Sequence, residues 1–303
     1  MSSATPIAPG TETARTAVWT VLELLRWTTG HFERQGIESA RLDAECLLAF
    51  ALGVERLRLY IDFDKPVNET ERAAFRELVR RRAAQRVPVS QLVGAREFWS
   101  LALKVTADVL TPRPETETLV SAALDLLPDR DARARVLDVG TGSGAIALAI
   151  ARERPRAVIT ATDISQESLK IAQENAERHE MAERIQTLEG DLLEPVAGAT
   201  FDLVVSNPPY LAESERKSLP PELAHEPERA LFAGADGLAV LARLASGVGA
   251  VLAPGAGVAL EIAPAQARDV ARMLEAAGLT QVGVRRDLGG RPRVVTALQV
   301  ATG

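Results

Sequence analysis

An α/β fold built on a mixed, mostly parallel seven-stranded sheet, preceded by a small helical bundle, is what the sequence predicts. Three observations carry this. After Asp131, apolar runs of strand length alternate with helix-period segments; before Pro88, helical periodicity appears with no strand pattern; and 303 residues suffice for two domains with sizeable cores.

The chain opens on a mostly polar stretch, Met1 to Thr16, with Pro6, Pro9 and Gly10 and no apolar signal core. Residues 1–16 are expected to be a disordered leader, and the protein to be cytoplasmic. Residues 17–87 read as a helical domain. Val18, Leu22 and Leu25 fall on one face, then Leu48 and Leu52, then Phe75, Leu78 and Val79. Asn68 followed by Glu71 resembles a capping box opening the last of these helices. Arg80, Arg81, Arg82 and Arg86 cluster near its end, which reads as a solvated helix terminus or a contact for an acidic or RNA-bearing partner. Cys46, the only cysteine, rules out an intramolecular disulfide and a thiolate metal cluster, and its setting in Leu42–Leu48 predicts a packing role.

Residues 88–110 change to a period of two. Trp99, Leu101, Leu103 and Val105 alternate with Ser100, Ala102 and Lys104, the pattern of a half-buried strand or hairpin connecting two domains. The turn Thr111-Pro112-Arg113-Pro114 follows, then a helix carrying Glu117, Leu119 and Val120. The strands expected in the second domain, 111–303, are Arg135–Val139, Val158–Asp163, Ile185–Glu189, Phe201–Ser206, Val258–Ile262, Gln281–Arg285 and Val294–Leu298. In such sheets ligands bind at the carboxyl ends of the strands near the topological switch point, and every motif below falls at a strand end.

The first motif is a strand running into Gly140-Thr141-Gly142-Ser143-Gly144 and then a helix. Glycine suits a sharp turn that a ligand must approach closely. The spacing also fits a dinucleotide fingerprint, and Asp163, ending the next strand, is an acceptor for a ribose diol in either case. Asp138 is placed to meet a positively charged amino-acid moiety. Asp191, after the third strand, is placed to accept from an adenine amine. Both favour S-adenosylmethionine over a nicotinamide.

The second motif decides between them. An apolar strand from Phe201 ends in Asn207-Pro208-Pro209-Tyr210. Successive prolines stiffen the turn and leave its carbonyls without local donors. The Asn207 side-chain oxygen and the Pro208 carbonyl are two acceptors for the two hydrogens of a planar –NH2 group, and Tyr210 adds an aromatic face. Such a site aims an amide or amine nitrogen at an electrophilic methyl, by orientation and transition-state complementarity rather than by a strong base. His31, His179 and His225 accordingly form no catalytic constellation. At this point a nucleobase and an amide both remain open as acceptors. A net charge of −6 argues against tight binding to long nucleic acid, and no apolar run reaches the length that spans a membrane.

Over roughly residues 20 to 300 the chain resembles the HemK/PrmC family of protein-(glutamine-N5) methyltransferases of release factors. The residues that carry this are Arg41–Leu48, Pro88–Gly94, Glu97-Phe98-Trp99, Thr111–Glu117, the Gly140–Gly144 loop, Asn207–Tyr210, His225-Glu226-Pro227 and, weakly, Asp287–Arg293. Asn-Pro-Pro-Tyr alone also occurs in amino-methyltransferases of nucleic acids, whereas its combination with Thr111–Glu117 and the helical N-terminal domain is far more specific. The resemblance implies a Rossmann-like class I methyltransferase fold. It implies methyl transfer from S-adenosylmethionine, leaving S-adenosylhomocysteine, to the glutamine amide of the Gly-Gly-Gln motif in class 1 peptide-chain release factors, which tunes translation termination. A ribosomal-protein glutamine methyltransferase or a nucleic-acid amino-methyltransferase is the alternative. By the same resemblance Gly140, Thr141, Gly142, Ser143, Gly144 and Asp163 hold the cofactor. Leu192 sits near the adenine, where the family often has an aromatic residue. Asn207, Pro208, Pro209 and Tyr210 bind the glutamine, with Asn207, Pro208 and Tyr210 as the catalytic residues and Asn207 also touching the cofactor, and Phe98, Arg113 and Glu117 line the pocket or fix the domain interface. The helical domain docks the release factor. No metal, membrane or direct nucleic-acid substrate is expected.

Overall fold

Helix α1 (Val21–Arg34) opens on a reciprocal cap. The Thr20 hydroxyl accepts from the Glu23 amide, and the Glu23 carboxylate accepts from the Thr20 amide. The structure, a computed structural model, describes residues 19–301, so the expected leader at 1–16 and Val18 lie outside the described residues. Two units, Met1–Val89 and Ser90–Gly303, make up the chain.

In the first unit α1 is followed by α2 (Ala40–Leu52), α3 (Arg56–Ile61) and α4 (Glu69–Gln85). The buried face of α1 is Val21, Leu24, Thr28 and Phe32, while Leu22 and Leu25 are only half-buried. The sequence pattern missed this face because the polar Thr28 occupies one of its positions. Asn68 and Glu71 form the capping box of α4 as expected. The arginine cluster at its end is not one solvated face. Arg82 is buried and pairs with the buried Asp43 of α2 at 2.7 Å, and Ser39 Oγ donates to the other Asp43 oxygen. Arg80 pairs with Glu77, and Arg86 donates to the Gln35 carbonyl. A buried ion pair of this kind is tolerated only when its remaining lone pairs are satisfied.

In chain order, the short α5 (Val89–Val93) precedes β1 (Ala95–Phe98) and β2 (Leu101–Lys104), an antiparallel hairpin. Trp99, expected within the alternating strand, instead forms the hairpin turn with Ser100, at φ 51° and 55°. A two-residue turn matching the strand twist requires positive φ at both positions. Neither residue is glycine, and Arg152 donates to both turn carbonyls.

The large sheet is built from α6 (Glu117–Leu126), β3 (Arg135–Val139), α7 (Ala145–Glu153), β4 (Val158–Asp163), α8 (Gln166–Arg178), β5 (Ile185–Glu189), β6 (Phe201–Ser206), α9 (Ala239–Val248), β7 (Leu252–Glu261), α10 (Ala267–Ala276), β8 (Thr280–Arg286) and β9 (Pro292–Leu298). Seven strands run in the order β5-β4-β3-β6-β7-β9-β8, parallel except that β9 opposes both neighbours. Strand β7 begins at Leu252, six residues before its expected start at Val258. Its early part carries Pro254 and Gly255, turn-formers that sit in an irregularity where the register against β6 shifts.

Alternate residues of β3 point to opposite faces. Val136 joins Leu119, Leu148 and Ile150 of α6 and α7 in one core; Leu137 and Val139 join Leu241 and Leu244 of α9 and Val270 and Leu274 of α10 in the other. Each such buried side chain contributes about 1.5–3 kcal/mol. The chain moves outward from β3 to β5, then returns to β6 on the opposite side of β3, so the switch point lies between β3 and β6. Val139 pairs with Ser206 there, and the Ser206 hydroxyl donates to the Val139 carbonyl at 2.7 Å. Gly140 and Asn207 therefore leave adjacent strands side by side. Among the described residues no helix is long and apolar enough to cross a membrane.

Candidate active site

The turn after β3 is folded by its glycines. Gly140, Gly142 and Gly144 have φ of 71°, 55° and 80°, a region that L side chains rarely adopt. Space over Gly140 and Gly142 is open, whereas a Cβ on Gly144 would press on Ala172 of α8. The first two glycines thus clear the approach of a ligand, and the third allows close helix packing. The Gly140 and Thr141 amides donate to the Thr162 carbonyl, which ties the turn to β4. Asp163 accepts from the Gly142 amide through one oxygen and from the Ser165 amide through the other, each at 2.9 Å. Burial raises its pKa, opposed by those two amides and by the Arg229 charge. Asp138 is fully buried beneath the turn. Its Oδ2 accepts from the Thr141 hydroxyl and the Ala147 amide, while its Oδ1 has no partner.

Asn207 follows β6 directly. Its Nδ2 donates to the Thr116 hydroxyl at 3.4 Å, and its Oδ1 is buried without a partner. A buried acceptor left unpaired costs about 1–3 kcal/mol, so this oxygen is poised for an incoming N–H. Tyr210 is held from behind. Its carbonyl accepts from Gln266 Nε2 at 3.0 Å, and its hydroxyl lies 3.5 Å from Glu261 Oε1. Burial, with the Glu261 charge, pushes the Tyr210 phenol up to about 12.

A cavity of about 320 Å³ joins the two motifs, within the size range of small-molecule sites. Of the residues expected at the site, Gly140, Thr141, Gly142, Ser143, Asp163, Asp191, Leu192, Asn207 and Pro209 line it. Gly144, Pro208 and Tyr210 are not among the residues that line it. Asp191 reaches the cavity already paired with Arg243 of α9 at 2.7 Å. Leu192 has φ 50° and adds an apolar wall together with Ile164 and Val240.

Phe98, Arg113 and Glu117 are not part of this lining. Phe98 is buried in the core with Leu101 and Leu103, and Glu117 accepts from the Trp99 amide of the hairpin turn. Arg113 pairs with Glu226 at 2.5 Å, and the other Glu226 oxygen accepts from the Thr111 amide. That buried carboxylate, its pKa raised by burial and lowered by Arg113, staples the Thr111–Glu117 turn to the Pro227–Ala230 segment, and both segments contribute to the cavity wall. Thr116, Arg229, Arg243, Glu261 and Gln266 were not singled out from the sequence. They come from distant chain positions; the sequence signals nearest to them were the Thr111–Glu117 turn, which contains Thr116, and His225-Glu226-Pro227, two residues before Arg229.

The Methyltransferase small domain family matches residues 117–248, and the PrmC N-terminal domain family matches residues 23–94. A release factor glutamine methyltransferase of Rhodopirellula baltica is 45% identical over 294 residues, spanning 94% of this chain and 98% of its own. One of Geobacter sulfurreducens is 40% identical over 284 residues, spanning 93% and 98%. Among solved structures, the hMettl16 catalytic domain superposes with a TM-score of 0.55 at 14% identity, over 79% of this chain and 86% of that one, a likeness of fold alone.

Proposed function

The chain belongs to the release factor glutamine methyltransferase family, and on that premise we propose that it methylates the side-chain amide nitrogen of the glutamine in the Gly-Gly-Gln motif of class 1 peptide-chain release factors. The observation that carries this reading is Asn207 Oδ1, buried and without a donor beside a glycine turn shaped for close ligand approach.

The residues present fit S-adenosylmethionine. Gly140 and Gly142 leave room against bare backbone, Asp163 offers carboxylate oxygens to the cavity, and Ile164, Leu192 and Val240 supply apolar wall for an adenine. When bound, the cofactor supplies a sulfonium methyl, an electrophile that needs no metal, and leaves as S-adenosylhomocysteine. On this reading Asp163 accepts from the ribose hydroxyls. Asp191, steadied by Arg243, faces the adenine edge. Asn207 Oδ1 and the Pro208 carbonyl each accept one hydrogen of the glutamine amide, and Pro209 and Tyr210 keep that turn rigid. Amide nitrogen is a weak nucleophile, so alignment does most of the work, an effect able to supply about 7–11 kcal/mol. Arg113 acts through Glu226, and Phe98 and Glu117 through the hairpin they hold. The helical unit is assigned to docking the release factor.

Incubation with methyl-labelled cofactor and, separately, a release factor, ribosomal proteins or DNA tests the reading. Peptide mass spectrometry is expected to place one methyl on the Gly-Gly-Gln glutamine. Label on nucleic acid, or on a residue other than glutamine, would sink it.

A further inference from the structure

Glu261 ends β7, the strand beside β6, and its side chain is wholly inaccessible to solvent. Its Oε1 accepts from the Tyr210 hydroxyl, whereas its Oε2 is buried with no partner. Among the described residues no ion pair satisfies it. Arg293 of β9, whose charge acts on it, pairs through Nη2 with Asp287 at 3.2 Å. A carboxyl in this state is costly to the fold and calls for an explanation beyond packing.

The groups around it supply one. Tyr210 belongs to the turn that receives the acceptor amide. The Thr116 hydroxyl, which also acts on Glu261, takes the Asn207 Nδ2 hydrogen at 3.4 Å. Thr116 thus neighbours both residues that carry an unpartnered buried oxygen, Glu261 and Asn207. We propose that Glu261 is a positioning residue for methyl transfer: through Thr116 and Tyr210 it fixes the Asn207 carboxamide with Oδ1 toward the substrate nitrogen.

This inference rests on the glutamine-methyltransferase reading above. As a carboxylate, Glu261 only accepts; it orients the Tyr210 and Thr116 hydroxyl protons toward itself and leaves a Thr116 lone pair for Asn207 Nδ2. As a neutral carboxyl it gains a donor that competes with Asn207 for that lone pair. The carboxamide is then free to flip and would present a donor to a donor. Burial raises Glu261 to about 7, Glu115 on the turn before α6 pushes the same way, and Thr116, Arg293 and Tyr210 oppose. The aligned state therefore grows as pH rises through neutrality.

The test is kcat against pH with an intact release factor for the wild type, Glu261→Gln, Thr116→Val and the double variant, alongside calorimetric affinity for S-adenosylhomocysteine. Wild-type kcat is expected to rise through an inflection near 7. Glu261→Gln, which keeps a donor permanently in place, is expected to lose the inflection and to slow kcat about tenfold or more, the span of a charge-assisted hydrogen bond. Its product affinity is expected to stay unchanged, and the double variant to be no slower than the slower single one. A wild-type profile in Glu261→Gln, a parallel fall in product affinity, or additive losses would overturn the proposal. Should Glu261→Gln fail to fold, Tyr210→Phe carries the test. Removing a donor to the carboxylate must shift the inflection upward, and an unmoved inflection refutes the idea. A wild type that leaves the release factor unmethylated overturns the functional reading and this proposal with it; a methylating wild type whose profile the variants share overturns this proposal alone.

Discussion

Asn207 carries two demands on one carboxamide: Nδ2 must find Thr116, and Oδ1 must stay open for a ligand. Asn207→Ala removes both, so transfer is expected to fall by at least about a hundredfold, as when one preorganised polar contact is lost from an active site. Product affinity, measured by calorimetry, is expected to stay within a few-fold of wild type. An equal collapse of both would make Asn207 a cofactor or structural residue instead. Gly237 is constrained as tightly. Its φ is 74°, and a Cβ there would lie 2.3 Å from the Tyr210 carbonyl oxygen, which Gln266 also holds. Gly237→Ala must displace that carbonyl and strain the backbone, so a loss of about 1–3 kcal/mol is expected in urea denaturation. Methylation should slow as well, because the displaced carbonyl belongs to Tyr210. An unchanged denaturation midpoint would show that the segment yields freely.

At the scale of elements, Asp138 ties the end of β3 to the glycine turn and to the first turn of α7 through Thr141 and Ala147. Burial raises its pKa from 3.8 to about 7. The sign follows from proton binding: between those values the folded state holds a proton that the unfolded state has released. The contribution of Asp138 to stability is full below about 3.8, declines as pH rises, and is gone above about 7. The total is on the order of 4 kcal/mol. Wild type minus Asp138→Asn, compared by urea denaturation at pH 5, 6 and 8, should show this decline; a flat difference would rule it out. In the helical unit, Arg82→Leu strands the buried Asp43 charge and is expected to destabilise by about 3–5 kcal/mol, much of it regained in Asp43→Asn/Arg82→Leu. Elements whose signals are contiguous were legible in the sequence. Strands β3 to β6 are uninterrupted short runs at a period the chain states outright, and their ends carry the glycine turn and Asn207–Tyr210. What escaped was non-local or disguised. Thr28 hid the buried face of α1, Pro254 and Gly255 hid the start of β7, and Trp99 and Ser100 turn without glycine because Arg152 reaches them from α7. Within the site, Glu226 and Glu261 meet their partners across 113 and 51 residues, distances that no local pattern records.

For the whole molecule, the proposed division of labour gives catalysis to the sheet unit and recognition of the bulk of the release factor to the helical unit. The first unit exposes Phe50, Leu57, Tyr60, Ile61 and Phe63 along the end of α2, α3 and the segment after it, with Leu57 69% and Ile61 59% accessible. Large apolar side chains concentrated on one short stretch are the usual mark of a contact surface. If the stretch contributes docking energy alone, replacing Leu57 and Ile61 by serine removes binding that is equal in ground and transition states. KM for the intact release factor is then expected to rise about ten- to a hundredfold, from roughly 1.5–3 kcal/mol of lost apolar burial, while kcat holds. A short peptide carrying Gly-Gly-Gln lacks the rest of the release factor that this surface is proposed to hold, so its methylation rate should be the same in the variant and the wild type. Parallel measurement on peptide and intact factor separates the outcomes. A rate that falls on the peptide too would mean that Leu57 and Ile61 sustain the catalytic unit, and an unchanged KM for the intact factor would move docking to another face.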